Sequence, residues 1–189
     1  MHCTRTRLAD MSVRPVLIVA LTLACNGDGI TAPTEFDPPG THQSALAGLG
    51  GTGGGGVSVT PRAVAEGSFV ADIKVRVRQG RPNTSYTIQR APEIGRALGS
   101  DGSCQRALGL SPWSSADAPA AAFLSFTQPA STTPITLTTN ASGDGSFDFE
   151  FRAPMIPAGT KFDVMFRLLD NTTAPTSTLV SGCFTVTVL

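Results

Sequence analysis

The sequence predicts an all-β fold, an antiparallel β-sandwich of about 7–9 short strands. Three observations lead there. Apolar and polar residues alternate with period two in several windows, the mark of a strand with one buried face. Clusters rich in Gly, Pro and Asn ("QGRPN", "NASGDG", "APMIPAG") punctuate those windows where turns are needed. No window carries a convincing run of apolar residues at helical spacing; "EIGRALG" is short and broken by glycine.

Taken along the chain, "VSVT" at 57–60 is the first strand candidate. The next is the clearest: in "SFVADIKVRVR", Phe69, Ala71, Ile73, Val75 and Val77 share one face, and Asp72, Lys74, Arg76 and Arg78 share the other. "TSYTIQR" at 84–90, "AAFLSFT" at 121–127 and "PITLTT" at 134–139 are weaker candidates. In "GSFDFEFR", Phe147, Phe149 and Phe151 point one way while Asp148, Glu150 and Arg152 point the other. "TKFDVMFRLLD" directs Phe162, Val164, Phe166 and Leu168 inward, and "CFTVTVL" closes the series. Residues 57–189 are therefore expected to make the folded domain. Its general layout resembles immunoglobulin-like or fibronectin type III-like domains of bacterial surface proteins, a resemblance of architecture that implies no activity by itself.

Ahead of that domain, Arg5, Arg7 and Arg14 precede an apolar run from Val16 to Ala24. A charged region, a short apolar region and a small residue are the parts of an export signal, expected here over residues 1–24. The run falls far short of the roughly 20 residues that span a bilayer as a helix. Met11 is an alternative start that keeps Arg14 and the whole apolar run. The stretch Leu21-Thr22-Leu23-Ala24-Cys25 resembles the lipobox of bacterial lipoproteins, with Thr22 where an aliphatic residue is commoner. The resemblance implies that Cys25 is lipidated, becomes the N-terminus and anchors the chain to a membrane. It further implies the cell envelope, at the outer membrane or cell surface, because Asn26 stands where an aspartate would favour inner-membrane retention. An ordinary secretory signal, giving a secreted or periplasmic protein, is the alternative. Residues 25–56 carry proline early, glycine late and few aromatic or β-branched side chains, so a flexible tether is expected. Within it, "ALAGL" has the length of a turn of helix, though nothing requires one.

The chain holds four cysteines. With Cys25 as the anchor and Cys3 in the leader, Cys104 and Cys183 remain, and an exported chain meets an oxidising compartment. A Cys104–Cys183 disulfide is the economical reading, and it would pin the irregular segment 91–120 against the last strand. The competing reading is a reactive or metal-binding thiol. It lacks a CxxC spacing, and both histidines, His2 and His42, precede the expected domain.

Acids and bases balance at 14 each, which shows no preference for nucleic acid, and one Tyr and one Trp give single strands little to stack on. Without an imidazole, residues 57–189 carry no Ser-His-Asp, Cys-His or zinc-hydrolase constellation, and no Gly-rich phosphate loop follows a strand. Asp144, Asp148 and Glu150 cluster, but at a turn and on an outward face, where carboxylates are solvated. A non-catalytic protein with no metal and no cofactor is expected. Asn140, Ser142, Asp144 and Gly145 match the start of a calcium loop, yet position 12 is Phe151, and the same residues suit a hairpin turn. Lys74, Arg76 and Arg78 form a basic row, with Arg81, Arg90 and Arg96 close in sequence. The row is either a solvated face or a site for phosphates or an acidic polysaccharide. Gln-Arg-Ala occurs at 89–91 and again at 105–107, and a structural role for Arg90 and Arg106 would pair each with an acid or backbone carbonyls. Trp113, in "LSPWSS", is either the plug beneath its own loop or an exposed platform for a sugar ring or a protein.

The functional expectation is an envelope-anchored structural or interaction domain, serving adhesion, envelope structure or an accessory subunit. Its partners would be the membrane through Cys25 and a protein or polysaccharide. One alternative is a carbohydrate- or anionic-ligand-binding module using Trp113 and the basic row; another is an enzyme of unfamiliar type.

Overall fold

The computed structural model of the protein describes residues 40–64, 67–104, 123–172 and 178–189. Its strands are β1 (His42–Gly48), β2 (Gly54–Arg62), β3 (Phe69–Arg78), β4 (Ser85–Pro92), β5 (Leu124–Ser125), β6 (Thr136–Thr138), β7 (Gly145–Ala153), β8 (Lys161–Asp170), β9 (Leu179–Ser181) and β10 (Phe184–Thr187). No helix occurs among the described residues. The strands form one hydrogen-bonded sheet in the order β5-β4-β8-β9-β1-β2-β3-β7, with β6 also on β4 and β10 also on β8. Every ladder is antiparallel. The sheet curls on itself into a half-barrel, and among the described residues no ladder joins its two ends, β5 and β7.

Burial follows the alternation. On β3, Phe69, Ala71, Ile73, Val75 and Val77 are all buried, while Arg76 and Arg78 are exposed. On β8, Phe162, Val164, Phe166 and Leu168 enter the same core. The core lies between the half built from β1, β2, β3 and β7 and the half built around β4 and β8. Aromatic side chains knit the two halves: the rings of Phe69 and Phe162 meet edge to face at 5.5 Å, and Phe126 meets Phe149 at 5.0 Å.

The folded unit begins earlier than the expected boundary at residue 57. β1 and the first three residues of β2 fall inside the stretch expected to be tether, and the "ALA" of "ALAGL" is strand rather than a turn of helix. Steric need explains the glycines there. At Gly55, with φ +153°, an added Cβ would collide with the carbonyl oxygen of Arg76 on β3. Glycine at that point lets two backbones approach, so its low hydrophobicity says little about order.

The bridge between the halves is short. β9 pairs with β8 through Val180 and Leu179 and with β1 through Ser181, Val180 and Leu179. Removing that link on paper leaves two separate antiparallel sheets; with it, the sheet is continuous.

Candidate functional site

On the outer face of β3, register sets the surroundings of the basic row. Lys74 lies across from Ser58 on β2 and Asp148 on β7, and Arg76 lies across from Gly56 and Ser146. Arg78 faces Gly54 on one side only, because the ladder to β7 ends at Val77. The row is therefore interior to its sheet at Lys74 and Arg76, with Asp148 across from Lys74, and it reaches the end of the β7 ladder at Arg78. Beyond Lys74, Asp72 and Glu150 stand directly opposite each other, an unfavourable pairing of like charges. Arg62 relieves it. Its Nε donates to Asp72 at 2.6 Å and its Nη1 to Glu150 at 2.9 Å, and Arg152 donates to Glu150 at 2.6 Å. These groups are solvated, so the network fixes local charge pattern more than stability.

On the outer face of β4 and β8 sits a second, smaller apolar cluster. Ala91, Cys104, Phe123 and Met165 are buried there, with Cys183 packed against them. Cys104 and Cys183 form a disulfide with Cα atoms 5.5 Å apart, as the cysteine arithmetic expects. Asp163 fastens the loop that carries Cys104. Its fully buried carboxylate accepts from the Gly102 N–H at 2.8 Å and from the Thr185 hydroxyl, and its own N–H donates to the Gly99 carbonyl. Arg167 lies over the Phe123 ring, 4.2 Å from its centroid, and donates to Gln89 at 2.7 Å. Burial lowers the pKa of that guanidinium.

At the other end of the molecule the "NASGDG" segment is the turn its composition suggests. The Asn140 side-chain oxygen accepts from the N–H groups of Ser142 and Asp144, at 2.8 and 3.0 Å. Asp144 accepts from the Gln79 N–H at 3.0 Å. Both side chains serve backbone donors, which is what holds this turn against the one between β3 and β4. Gly143 is required at the contact: its φ is +79°, and a Cβ would strike the Gly80 carbonyl.

The remaining feature lies in the open seam of the half-barrel. A cavity of about 70 Å³ opens between β7 and β4, walled by Phe69, Phe162, Phe166 and other core residues. Arg90, on β4, projects into it. The Arg90 guanidinium carbon is 4.4 Å from the Phe126 centroid and 4.3 Å from that of Phe151, and those two rings are nearly perpendicular at 84°. The cation thus occupies a corner made of two ring faces. An acid or backbone carbonyls were the expected partners of Arg90; among the described residues it meets neither, and the rings take their place. Desolvation without a compensating anion pushes its pKa down to about 10. Period-two parity is the signal that finds this residue, because Tyr86, Ile88 and Arg90 share a face and the first two are fully buried.

Cys25, Arg106 and Trp113 lie outside the described residues. Among the described residues, no three His, Cys, Asp or Glu side chains come together as a metal site would require. No protein-family model, no curated protein and no solved structure matches the chain.

Proposed function

We propose that this chain is an exported, lipid-anchored domain of the cell envelope that works by contact rather than catalysis, as a structural, adhesive or accessory subunit. The observation that carries this reading is the Cys104–Cys183 disulfide. Stable disulfides belong to oxidising compartments, and this one agrees with the export leader expected over residues 1–24, ahead of Cys25. Half-barrel and sandwich are related here: two halves of the curled sheet face each other across one core, as the two layers of an immunoglobulin-like sandwich do. A local feature supports that kinship. Tyr86, near the start of β4, accepts with its hydroxyl from the Arg81 N–H at 3.1 Å, five residues upstream, in the manner of the tyrosine corner of such domains.

Intact-mass spectrometry of the mature protein from its host's membrane fraction, with and without reduction, tests the proposal. A chain beginning at acylated Cys25 that gains two hydrogens on reduction is the expected result. A soluble, unacylated chain with the disulfide would remove the anchor and leave a secreted or periplasmic domain. Two free thiols in native material would overturn the export reading itself.

A further inference from the structure

We infer that the seam cavity is a binding site for a small organic carboxylate with an apolar body, its anionic head on Arg90 and its body among the phenylalanine side chains. The inference goes beyond the envelope reading and does not rest on it. Among the described residues, Arg90 is the one charged side chain lining the cavity, and its neighbours there are apolar. A guanidinium has five N–H donors in its plane. At Arg90 the two ring faces contact the cation but accept none of those donors as a carboxylate would. No hydrogen bond or ion pair to the Arg90 side chain exists among the described residues. A half-buried cation that meets no acceptor among the described residues, beside an apolar cavity, calls for an anion that brings its own apolar surface. An inorganic ion would fill the donors and leave the cavity empty, whereas a neutral hydrocarbon would fill the cavity and leave the donors unmet.

The mouth of the site fits that occupant. Ile94, just past β4, lines the cavity and is 39% exposed, so it can flank the ligand without strain on the core. About 70 Å³ admits a few methylenes, and the open seam leaves room for the rest of a longer chain to run outward along β7. Among the described residues that strand pairs with β3 alone, and its Phe147 is 39% exposed beside Phe149.

Isothermal titration of the purified, disulfide-intact protein with hexanoate and octanoate, and with octanol and inorganic phosphate as controls, tests the site. The carboxylates should saturate at one site, with octanol and phosphate each roughly tenfold to a hundredfold weaker, the range expected for losing charge-assisted hydrogen bonds. Arg90→Met, which keeps the contact with the rings, should reduce carboxylate affinity by a similar factor and leave octanol unchanged. Ile94→Trp, at the exposed rim, should block both carboxylate and octanol, and it remains informative if Arg90→Met does not fold. Failure of either carboxylate to saturate would overturn the proposal. So would carboxylate binding that survives both substitutions, which would move the ligand to another surface such as the Lys74, Arg76, Arg78 row.

Discussion

His42 opens β1 half-buried, and burial lowers its pKa below the ordinary 6.5, because desolvation penalises the charged ring. The unfolded chain then takes up this proton at a higher pH than the folded one. Stability contributed by the neutral ring is present above the unfolded value and is lost as pH falls through the lower folded value. Urea unfolding at about pH 7.5 and about pH 5 should therefore show a larger acid-side loss in the wild type than in His42→Gln, the carboxylate contribution being common to both. Equal losses would mean that the ring is solvated in the folded state. At the same scale, Arg90 shows what sequence parity discloses and what it does not. Alternation places Arg90 with Tyr86 and Ile88 on the inward face, so its location was legible. Its partners were not, since Phe126 and Phe151 come from distant parts of the chain and only the curl of the sheet brings their rings to the cation. Lys74, Arg76 and Arg78 make the converse case: the sequence displays the row, but only register reveals Asp148 across from Lys74 and the end of the β7 ladder at Val77, one residue short of Arg78.

Strands differ in how plainly the sequence announces them, for a physical reason. β3, β7 and β8 run nine or ten residues, and in each the apolar side chains of the core-facing positions alternate with other residues long enough to be read, although β7 only half-buries Phe149 and Phe151 and β8 buries residues on both faces. β1 buries a single side chain, Leu46, and β9 buries all three of its residues, so neither shows an apolar–polar alternation in its sequence. These two are the strands that join the halves, which is why the sequence points to two layers where the molecule has a continuous sheet. Length of pattern does not measure energetic weight, however. β8 is central, and its Phe166, 2% exposed, lies 5.7 Å from Phe126 and 5.9 Å from Phe184 between ring centroids. β7 is an edge whose Phe147 is 39% exposed. Phe166→Ala should cost about 3–5 kcal/mol through lost burial and the cavity left behind. Phe147→Ala should cost no more than about 1 kcal/mol. Denaturant midpoints compared at constant slope check both. A large cost at Phe147 would mean that the β7 edge is covered in solution, as a second copy or a bound ligand would cover it.

At the scale of the whole molecule, two apolar clusters share β4 and β8 as a common wall: the large core on the inner face and the small one around Cys104, Phe123 and Met165 on the outer. Their supports differ. The inner cluster is enclosed by the curl of the sheet, whereas the outer one is covered by the loop that carries Cys104. That loop is held by the disulfide and by hydrogen bonds to Asp163, including the Gly102 N–H. Because Cys104 and Cys183 are 79 residues apart, the cross-link removes much of the freedom of the unfolded chain, worth about 4 kcal/mol in the chain-entropy model. Replacing both cysteines by serine should therefore lower unfolding free energy by up to about that amount and raise the denaturant slope, since the unfolded chain becomes more extended. The loss should also be uneven. Amide exchange at Gly99 and Gly102 should rise well above that of β3 in native conditions, because the outer cluster opens locally while the inner core stays closed. Uniform acceleration, reaching β3 at the same rate as the loop, would mean that the two clusters unfold as one unit and that the disulfide supports the inner core as directly as the outer. Protection at Gly99 and Gly102 unchanged in the serine variant would instead assign the fastening of that loop to Asp163 alone.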